Sequence, residues 1–267
     1  MVETMKVITC NLNGIRAAAR KGFFDWMQAE DPDFVCMQET KAQMQHLPDE
    51  CFYPKGYHHM FSNAEKKGYS GVGIYSKLKP DNVIFSMDLD WADNEGRFIE
   101  AVFGNLHIIS IYFPSGSSGD ERQALKYNFM EKFYENHASK ANNSQKKYII
   151  CGDFNIVHKE IDIKNWRANQ KNSGCLPKER AWLDSCQAKL GFVDAFREIC
   201  TEPEQYTWWS NRGRAWQNNV GWRIDYQMLS ANLSGTVDSA FIYKNERFSD
   251  HAPCLIKYIN DVGSYVA

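Results

Sequence analysis

Short apolar runs recur along this chain at residues 5–10, 34–38, 71–75, 98–103, 106–113, 147–151, 206–210, 223–229, 237–243 and 253–258. Runs of this length, bounded by Gly, Pro, Asn and Asp, read as strands. Helical spacing is confined to three longer stretches. Residues 15–29 put Phe23, Trp26 and Met27 on one face and are broken by Asp31-Pro32-Asp33. Residues 120–138 are polar and amphipathic, and residues 177–190 carry Pro at the first turn. Strands without a regular helix between them argue against a repeating parallel strand–helix–strand sheet. They predict an α/β protein in which sheet packs on sheet and a few helices cover the outer faces. No Pro/Ser-rich linker interrupts the 267 residues, so one domain is expected over 1–267, with 1–4 a loose tail.

Composition excludes some classes. With 43% hydrophobic and 24% charged residues, the chain is neither disordered nor fibrous. The net charge of −2 does not itself announce an anionic partner, so any such partner must be argued from local charge. None of the eight cysteines forms a C-x-x-C pair, and several lie inside apolar runs, as expected of free thiols in a reduced compartment. The opening M-V-E-T-M-K lacks a signal-peptide core, and no window is apolar enough to span a bilayer. A cytoplasmic protein without membrane contact is expected.

Several predicted strands end in chemically distinctive residues: Asn11, Glu39, Tyr112, Asp153 with Asn155, and Asp250 with His251. A strand end is where a rigid scaffold hands over to a loop, so groups placed there are well positioned. Magnesium is held by one or two carboxylates and completes its shell with water and phosphate. Glu39 with Asn11 nearby would supply such a site, and Lys41 would support the carboxylate or meet a phosphate. Asp153 and Asn155, two apart, suit a water-orienting acid and a phosphate-binding amide aimed the same way. Asp225 sits in an apolar run where a lone carboxylate is costly to bury, which suggests a partnership with His251. The Tyr112 phenol can donate to a phosphate oxygen. No nucleophilic Ser or Cys with an adjacent base and no phosphate loop is present, which favours direct attack by water.

Two segments carry local positive charge. Residues 164–180 hold Lys164, Arg167, Lys171, Lys178 and Arg180 against one acid, Glu179, interleaved with Asn165, Asn169 and Asn172. Residues 206–223 hold Arg212, Arg214 and Arg223 with Trp208, Trp209, Trp216 and Trp222 and no acid. Cations and amides suit phosphates, and aromatics suit exposed bases and sugars. One or two of these tryptophans are expected in the core. Arg16, Arg20 and Lys21 would extend the positive face.

The motifs N-L-N-G-I-R-A (11–17), Q-E-T-K (38–41), G-Y-S-G-V (68–72), Y-F-P-S-G (112–116), C-G-D-F-N-I-V-H (151–158), N-Q-K-N-S-G (169–174), G-W-R-I-D-Y (221–226) and S-D-H-A-P (249–253) occur in this order. In them the chain resembles the exonuclease III / apurinic-apyrimidinic (AP) endonuclease family over nearly its whole length, and Trp222 resembles the AP-endonuclease branch. The resemblance implies a four-layer α/β sandwich of two packed, mostly antiparallel sheets flanked by helices. It implies a monomeric, magnesium-dependent phosphodiesterase, with manganese as an alternative ion, acting on double-stranded DNA. Cleavage would fall 5′ to abasic sites and leave a 3′-hydroxyl, and 3′-blocked ends would be processed by 3′→5′ exonuclease and 3′-phosphatase or phosphodiesterase activities. Glu39 is implied as the main metal ligand beside Asn11 and Asp250, with Asp153, Asn155 and His251 completing the metal site. Asp153, Asn155, His251, Tyr112 and Asp225 would act in catalysis. Asn169, Asn172, Trp208 and Trp222 would line a sugar pocket, and Arg16, Lys41 and Tyr69 would add DNA contacts. Asn13 stands where some members carry Asp. Metal-dependent phosphatases of inositol phosphates or sphingolipids share the Glu, Asp-x-Asn and Asp-His parts and remain an alternative, as does an inactive DNA-binding homologue. The two basic segments weigh toward DNA.

Overall fold

A computed structural model describes residues 4–141 and 145–259 of the chain, so residues 1–3 of the expected tail lie outside the described residues. The chain runs β1 (Met5–Asn11), α1 (Ile15–Arg20), α2 (Phe23–Glu30), β2 (Phe34–Gln38), β3 (His58–Ser62), β4 (Val72–Ser76) and β5 (Asn82–Ile84). It continues through α3 (Asp90–Asn94), β6 (Phe98–Phe103), β7 (Leu106–Tyr112), α4 (Asp120–Ala141), β8 (Lys147–Asp153), α5 (Trp166–Asn169) and α6 (Pro177–Leu190). It closes with β9 (Val193–Asp194), α7 (Ala195–Ile199), β10 (Trp208–Trp209), β11 (Gly221–Trp222), β12 (Asp225–Leu229), β13 (Val237–Ile242) and β14 (Cys254–Tyr258).

Two six-stranded sheets result, ordered β13-β14-β1-β2-β4-β3 and β5-β6-β7-β8-β12-β9, with β10 and β11 as a separate ribbon. Four of the five pairings in each sheet are antiparallel. The fifth is parallel, β1 with β2 and β7 with β8. The mostly antiparallel pairing agrees with the expectation, and the single parallel pair in each sheet adds one strand–helix–strand unit to it. A parallel pair needs a crossover of a dozen or more residues. The α1–α2 pair and α4 each supply one, but each occurs once per sheet, so the sequence shows no repeating rhythm.

Alternation along the strands builds four layers. Inward side chains such as Val7, Phe34, Cys36 and Ile74 meet Ala101, Phe103, Ile108 and Ile149 of the other sheet, and the Phe34 and Phe103 rings lie 5.0 Å apart. The outer face of the first sheet packs on Phe23, Phe24 and Met27 of α2. That of the second packs on Phe129 and Phe133 of α4 and Leu183 and Cys186 of α6. Each large apolar side chain buried this way contributes about 1.5–3 kcal/mol. Polar side chains also cross the seam: Gln38 Nε2 donates to Ser110 Oγ at 3.0 Å, and Gln227 Nε2 donates to the Val7 carbonyl at 3.0 Å.

The expected helix over 15–29 is two helices, because Gly22 adopts φ 85° and turns the chain between them. The strand expected over 206–210 shrinks to Trp208–Trp209, and the strand expected over 223–229 begins at Asp225 rather than Arg223. β3 and β5 escaped the sequence reading because they are sheet edges with exposed residues such as His58, His59, Asn82 and Ile84. Among the described residues, no helix is long and apolar enough to cross a membrane.

Candidate active site

The C-terminal ends of both parallel pairs lie together. Asn11 is paired with Gln38 at the end of β1 and β2, and Tyr112 is paired with Asp153 at the end of β7 and β8. Carboxyl ends of parallel strands are common places for a ligand site. Glu39 follows Gln38, and Asp225 opens β12 directly across from Asp153. Asp250 and His251 precede β14, where an isolated bridge joins His251 to Trp208. Each sheet therefore contributes half of one cluster.

The contacts are short. The Asn11 amide nitrogen donates to Glu39 Oε1 at 2.8 Å and to Asp153 Oδ2 at 2.9 Å. His251 Nδ1 meets Asp225 Oδ2 at 2.8 Å, which leaves Nε2 facing Asp153 Oδ2 at 3.8 Å. The Asn155 backbone N–H donates to Asp153 Oδ1 at 2.8 Å, and its side-chain amide donates to the Phe113 carbonyl at 2.9 Å. Lys41 lies 2.7 Å from Glu39 Oε2 and also donates to Asn13 Oδ1. Asp250 accepts from the Asn13 amide at 2.9 Å and from Trp208 Nε1 at 3.2 Å. Arg97, fully buried, lies 4.6 Å from the Tyr112 ring centroid and donates to the Tyr112 carbonyl at 3.1 Å.

Electrostatics follow from this packing. Burial works against charge on Glu39, but Lys41 and Asn11 outweigh it and hold the carboxyl below its ordinary range. Burial, with Asp225 adding to it, pushes Asp153 up to about 7. Burial also opposes charge on His251, yet Asp225, Asp153 and Asp250 together raise the imidazole to about 10. With the ring protonated, Nδ1–H donates to Asp225 and Nε2–H points into the cleft. The Tyr112 phenol is pushed well above its usual value by burial and by Glu39, so it stays protonated. Among the described residues, the ligand atoms of Glu39, Asp153 and His251 lie within 4.8 Å of one another, the one grouping of that kind. Carboxylate oxygens, with amide groups beside them, are the donor set a small hard cation prefers.

This cluster floors a cleft of about 940 Å³ lined by Glu39, Tyr112, Asp153, Asn155, Asp250 and His251. Trp208 and Trp222 face each other across the β10–β11 ribbon at 5.9 Å, edge to face, and form one wall. Asn172, Lys171 and Arg212 stand at the rim. Asn169 lies one step behind, its Oδ1 accepting from the Asn172 amide at 2.9 Å.

Other expected DNA contacts lie off the cleft. Arg16 is exposed on α1, its Nη2 3.4 Å from the His46 carbonyl. Tyr69 joins a network in which its hydroxyl accepts from Arg97 and Arg122. The basic segments split in the same way. Lys178 lies over the Tyr127 ring and Arg180 over Trp166, while Lys164 pairs with Glu204. Arg223 is 1% exposed and bound to Asp162 and Asp194, a structural ion pair rather than a surface cation. Trp209 is buried against Trp216, as core tryptophans are. Sequence reasoning missed Arg97 beneath Tyr112, because a single Arg before a strand carries no signal. It also passed over Gln123 and Ser173, which line the cleft.

Residues 8–251 match the endonuclease/exonuclease/phosphatase family. The chain is 38% identical to an exodeoxyribonuclease of Bacillus subtilis, over 93% of this chain and 97% of that one. It is 37% identical to the DNA repair nuclease APEX1 of Danio rerio, over 93% of this chain and 80% of that one. The solved structure of an AP endonuclease from Archaeoglobus fulgidus superposes with a TM-score of 0.86 at 28% identity, covering 95% of this chain and 99% of that one. Two helix-flanked sheets and these likenesses agree with the sequence motifs: the chain belongs to the endonuclease/exonuclease/phosphatase family and, within it, to the exodeoxyribonuclease and AP-endonuclease group of hydrolases.

Proposed function

We propose that this protein is a magnesium-dependent DNA-repair phosphodiesterase that cleaves duplex DNA 5′ to abasic sites and leaves a 3′-hydroxyl. It also trims 3′ ends as a 3′→5′ exonuclease and a 3′-phosphatase or phosphodiesterase, and it works as a monomer in the cytoplasm. The observation that carries the reading is the convergence of Glu39, Asp153 and His251 on the floor of a cleft walled by two tryptophans. The eight free thiols, six of them buried, fit a reducing compartment.

Glu39 would hold Mg2+ (or Mn2+), with Asn11 and Asp250 beside it and Asp153, Asn155 and His251 around it. The bound ion supplies Lewis-acid polarisation of a phosphoryl oxygen and offsets charge on the leaving 3′-oxygen. Asp153, raised toward neutrality, orients the attacking water and takes its proton, while the leaving 3′-oxygen is protonated from solvent in the open cleft and departs as the 3′-hydroxyl. Asp225 fixes the His251 ring so that Nε2–H donates to a phosphate oxygen. The Tyr112 phenol and the Asn155 amide, whose second N–H lies 3.4 Å from Asp153 Oδ2, donate to the same phosphate and stabilise charge as it develops. Trp208 and Trp222 admit an extruded sugar, and extrusion is easiest where no base is stacked. Asn169 and Asn172 line the same sugar pocket, and Lys41 adds a contact to the strand.

A gel assay tests this with an internal abasic duplex, a recessed 3′ end and a 3′-phosphate, each with magnesium and with chelator. A nick on the 5′ side of the abasic site that chelator abolishes is the expected result. Intact DNA alongside turnover of a soluble inositol phosphate would assign the cleft to the phosphatase alternative. DNA binding without cleavage would leave a binding module.

A further inference from the structure

Lys126 on α4 and Glu179 on α6 are both fully buried, and among the expected metal-site residues Lys126 reaches only the backbone of Asn155. Lys126 Nζ donates to Glu179 Oε1 at 2.6 Å and to the backbone carbonyl of Asn155 at 2.8 Å. Glu179 Oε1 also accepts from Gln123 Nε2 at 3.1 Å. Glu179 Oε2 accepts from the backbone N–H of Gly174 at 2.7 Å and of Leu176 at 3.0 Å. Helix capping explains the Leu176 contact alone. It does not explain a buried lysine.

A buried ion pair adds little net stability over an apolar pair of the same volume. What distinguishes this one is where its hydrogen bonds end. One end holds Asn155, a non-glycine residue at φ 51°, in a left-handed conformation that local sterics disfavour. The other holds Gly174, whose carbonyl accepts from Val157 N at 2.7 Å. Gly174 has φ 91°, and a Cβ there would come within 2.9 Å of the Asn155 carbonyl and 3.0 Å of the Trp222 ring. The phosphate-facing amide and the tryptophan wall are thus braced from behind by the same pair.

We propose that Lys126 and Glu179 are positioning residues: a buried strut that fixes the Asn155 side chain and the 172–176 turn for turnover. The claim rests on the nuclease reading above, in which Asn155 touches the scissile phosphate. The test is the double variant Lys126→Met/Glu179→Gln, which removes both charges together and keeps an oxygen facing Gly174 and Leu176. Its thermal melting should stay close to wild type. Its single-turnover rate on saturating abasic duplex should fall about 100-fold, the scale of a misplacement near 1 Å. In an Asn155→Ala background the same pair of changes should lower the rate by about tenfold or less, because only the route through the 172–176 turn remains. Amide exchange across 154–176 in the free protein should quicken at least about tenfold, whatever the activity. If the double variant does not fold, Lys126→Gln/Glu179→Gln, which also strands no charge, tests the same claim, with a rate loss of about tenfold. A folded variant within about threefold of the wild-type rate overturns the proposal, as does an equal loss in the Asn155→Ala background or unchanged exchange. If wild-type protein fails to nick abasic DNA, the nuclease reading falls, and the exchange measurement still decides whether the strut braces the turn.

Discussion

Replacing Arg223 by methionine separates a cation that holds the fold together from one that faces DNA. Arg223 Nε donates to Asp162 Oδ1 at 2.8 Å, and its two terminal nitrogens donate to Asp194 at 3.2 and 2.6 Å. The guanidinium also lies over the Tyr226 ring at 4.6 Å. Asp162 would keep Arg197, which donates to it at 2.8 Å, but Asp194 would lose both of its Arg223 bonds. Stranding one charge of a buried pair costs about 3–5 kcal/mol. In a chain of this size that lowers the melting temperature by about 10 °C. Circular dichroism melting measures the loss. Fluorescence anisotropy with a labelled abasic duplex, over a series of salt concentrations below the melting range, measures binding. Arg223→Met should leave the slope of log affinity against log salt unchanged. Arg212→Ala, at the cleft rim, should keep the melting temperature and make the slope shallower by about 0.9, one phosphate contact's worth. An Arg223→Met protein that melts with the wild type and binds with a shallower slope would refute the structural assignment.

Asp153→Asn should leave DNA affinity within a few-fold and cut turnover by about 1,000-fold or more, measured by single-turnover cleavage, because the neutral amide cannot take a proton. Asp225→Asn removes the anion that keeps His251 charged and oriented; cleavage should fall by about 100-fold or more, with the deficit growing as pH rises and the imidazole loses its proton. Trp222→Ala removes half of the aromatic wall and should weaken binding of an abasic duplex by about 1–3 kcal/mol, while binding of undamaged duplex changes little. Asp162 is held below its ordinary pKa, burial being outweighed by Arg223 and Arg197, so its folded value lies below its unfolded one. The stability it gives is therefore present above about pH 4 and is lost as acid protonates it; urea midpoints measured from pH 6 down to pH 3 should fall, and fall less in Asp162→Asn.

The strand ends were legible because each pairs an apolar run with one chemically distinctive residue, as at Asn11, Glu39, Tyr112, Asp153 and His251, and the structure brings these side chains together. What the sequence does not carry is who stands opposite. Arg223 looks like the other cations of 206–223 until Asp162, Asp194 and Arg197 come to it from 61, 29 and 26 positions away. Lys178 and Arg180 likewise read as rim cations, yet the turn into α6 lays them over Tyr127 and Trp166. Lys126 and Glu179 sit in polar helical stretches that look like solvent faces. Which two strands of a mostly antiparallel sheet run parallel is not legible for a related reason: the helices that join them are visible, but the pairing is a property of the returning chain. Short edge strands such as β3 have little alternation to read.

Gln38 and Gln227 stitch one sheet to the other by side-chain hydrogen bonds that no solvent reaches. Because Asn11, Glu39 and His251 ride on one slab and Tyr112, Asp153 and Asp225 on its counterpart, the cluster proposed above to hydrolyse a phosphodiester exists only where the two slabs meet. On that reading, a copy in which the two halves have not met in register would have no cleaving site.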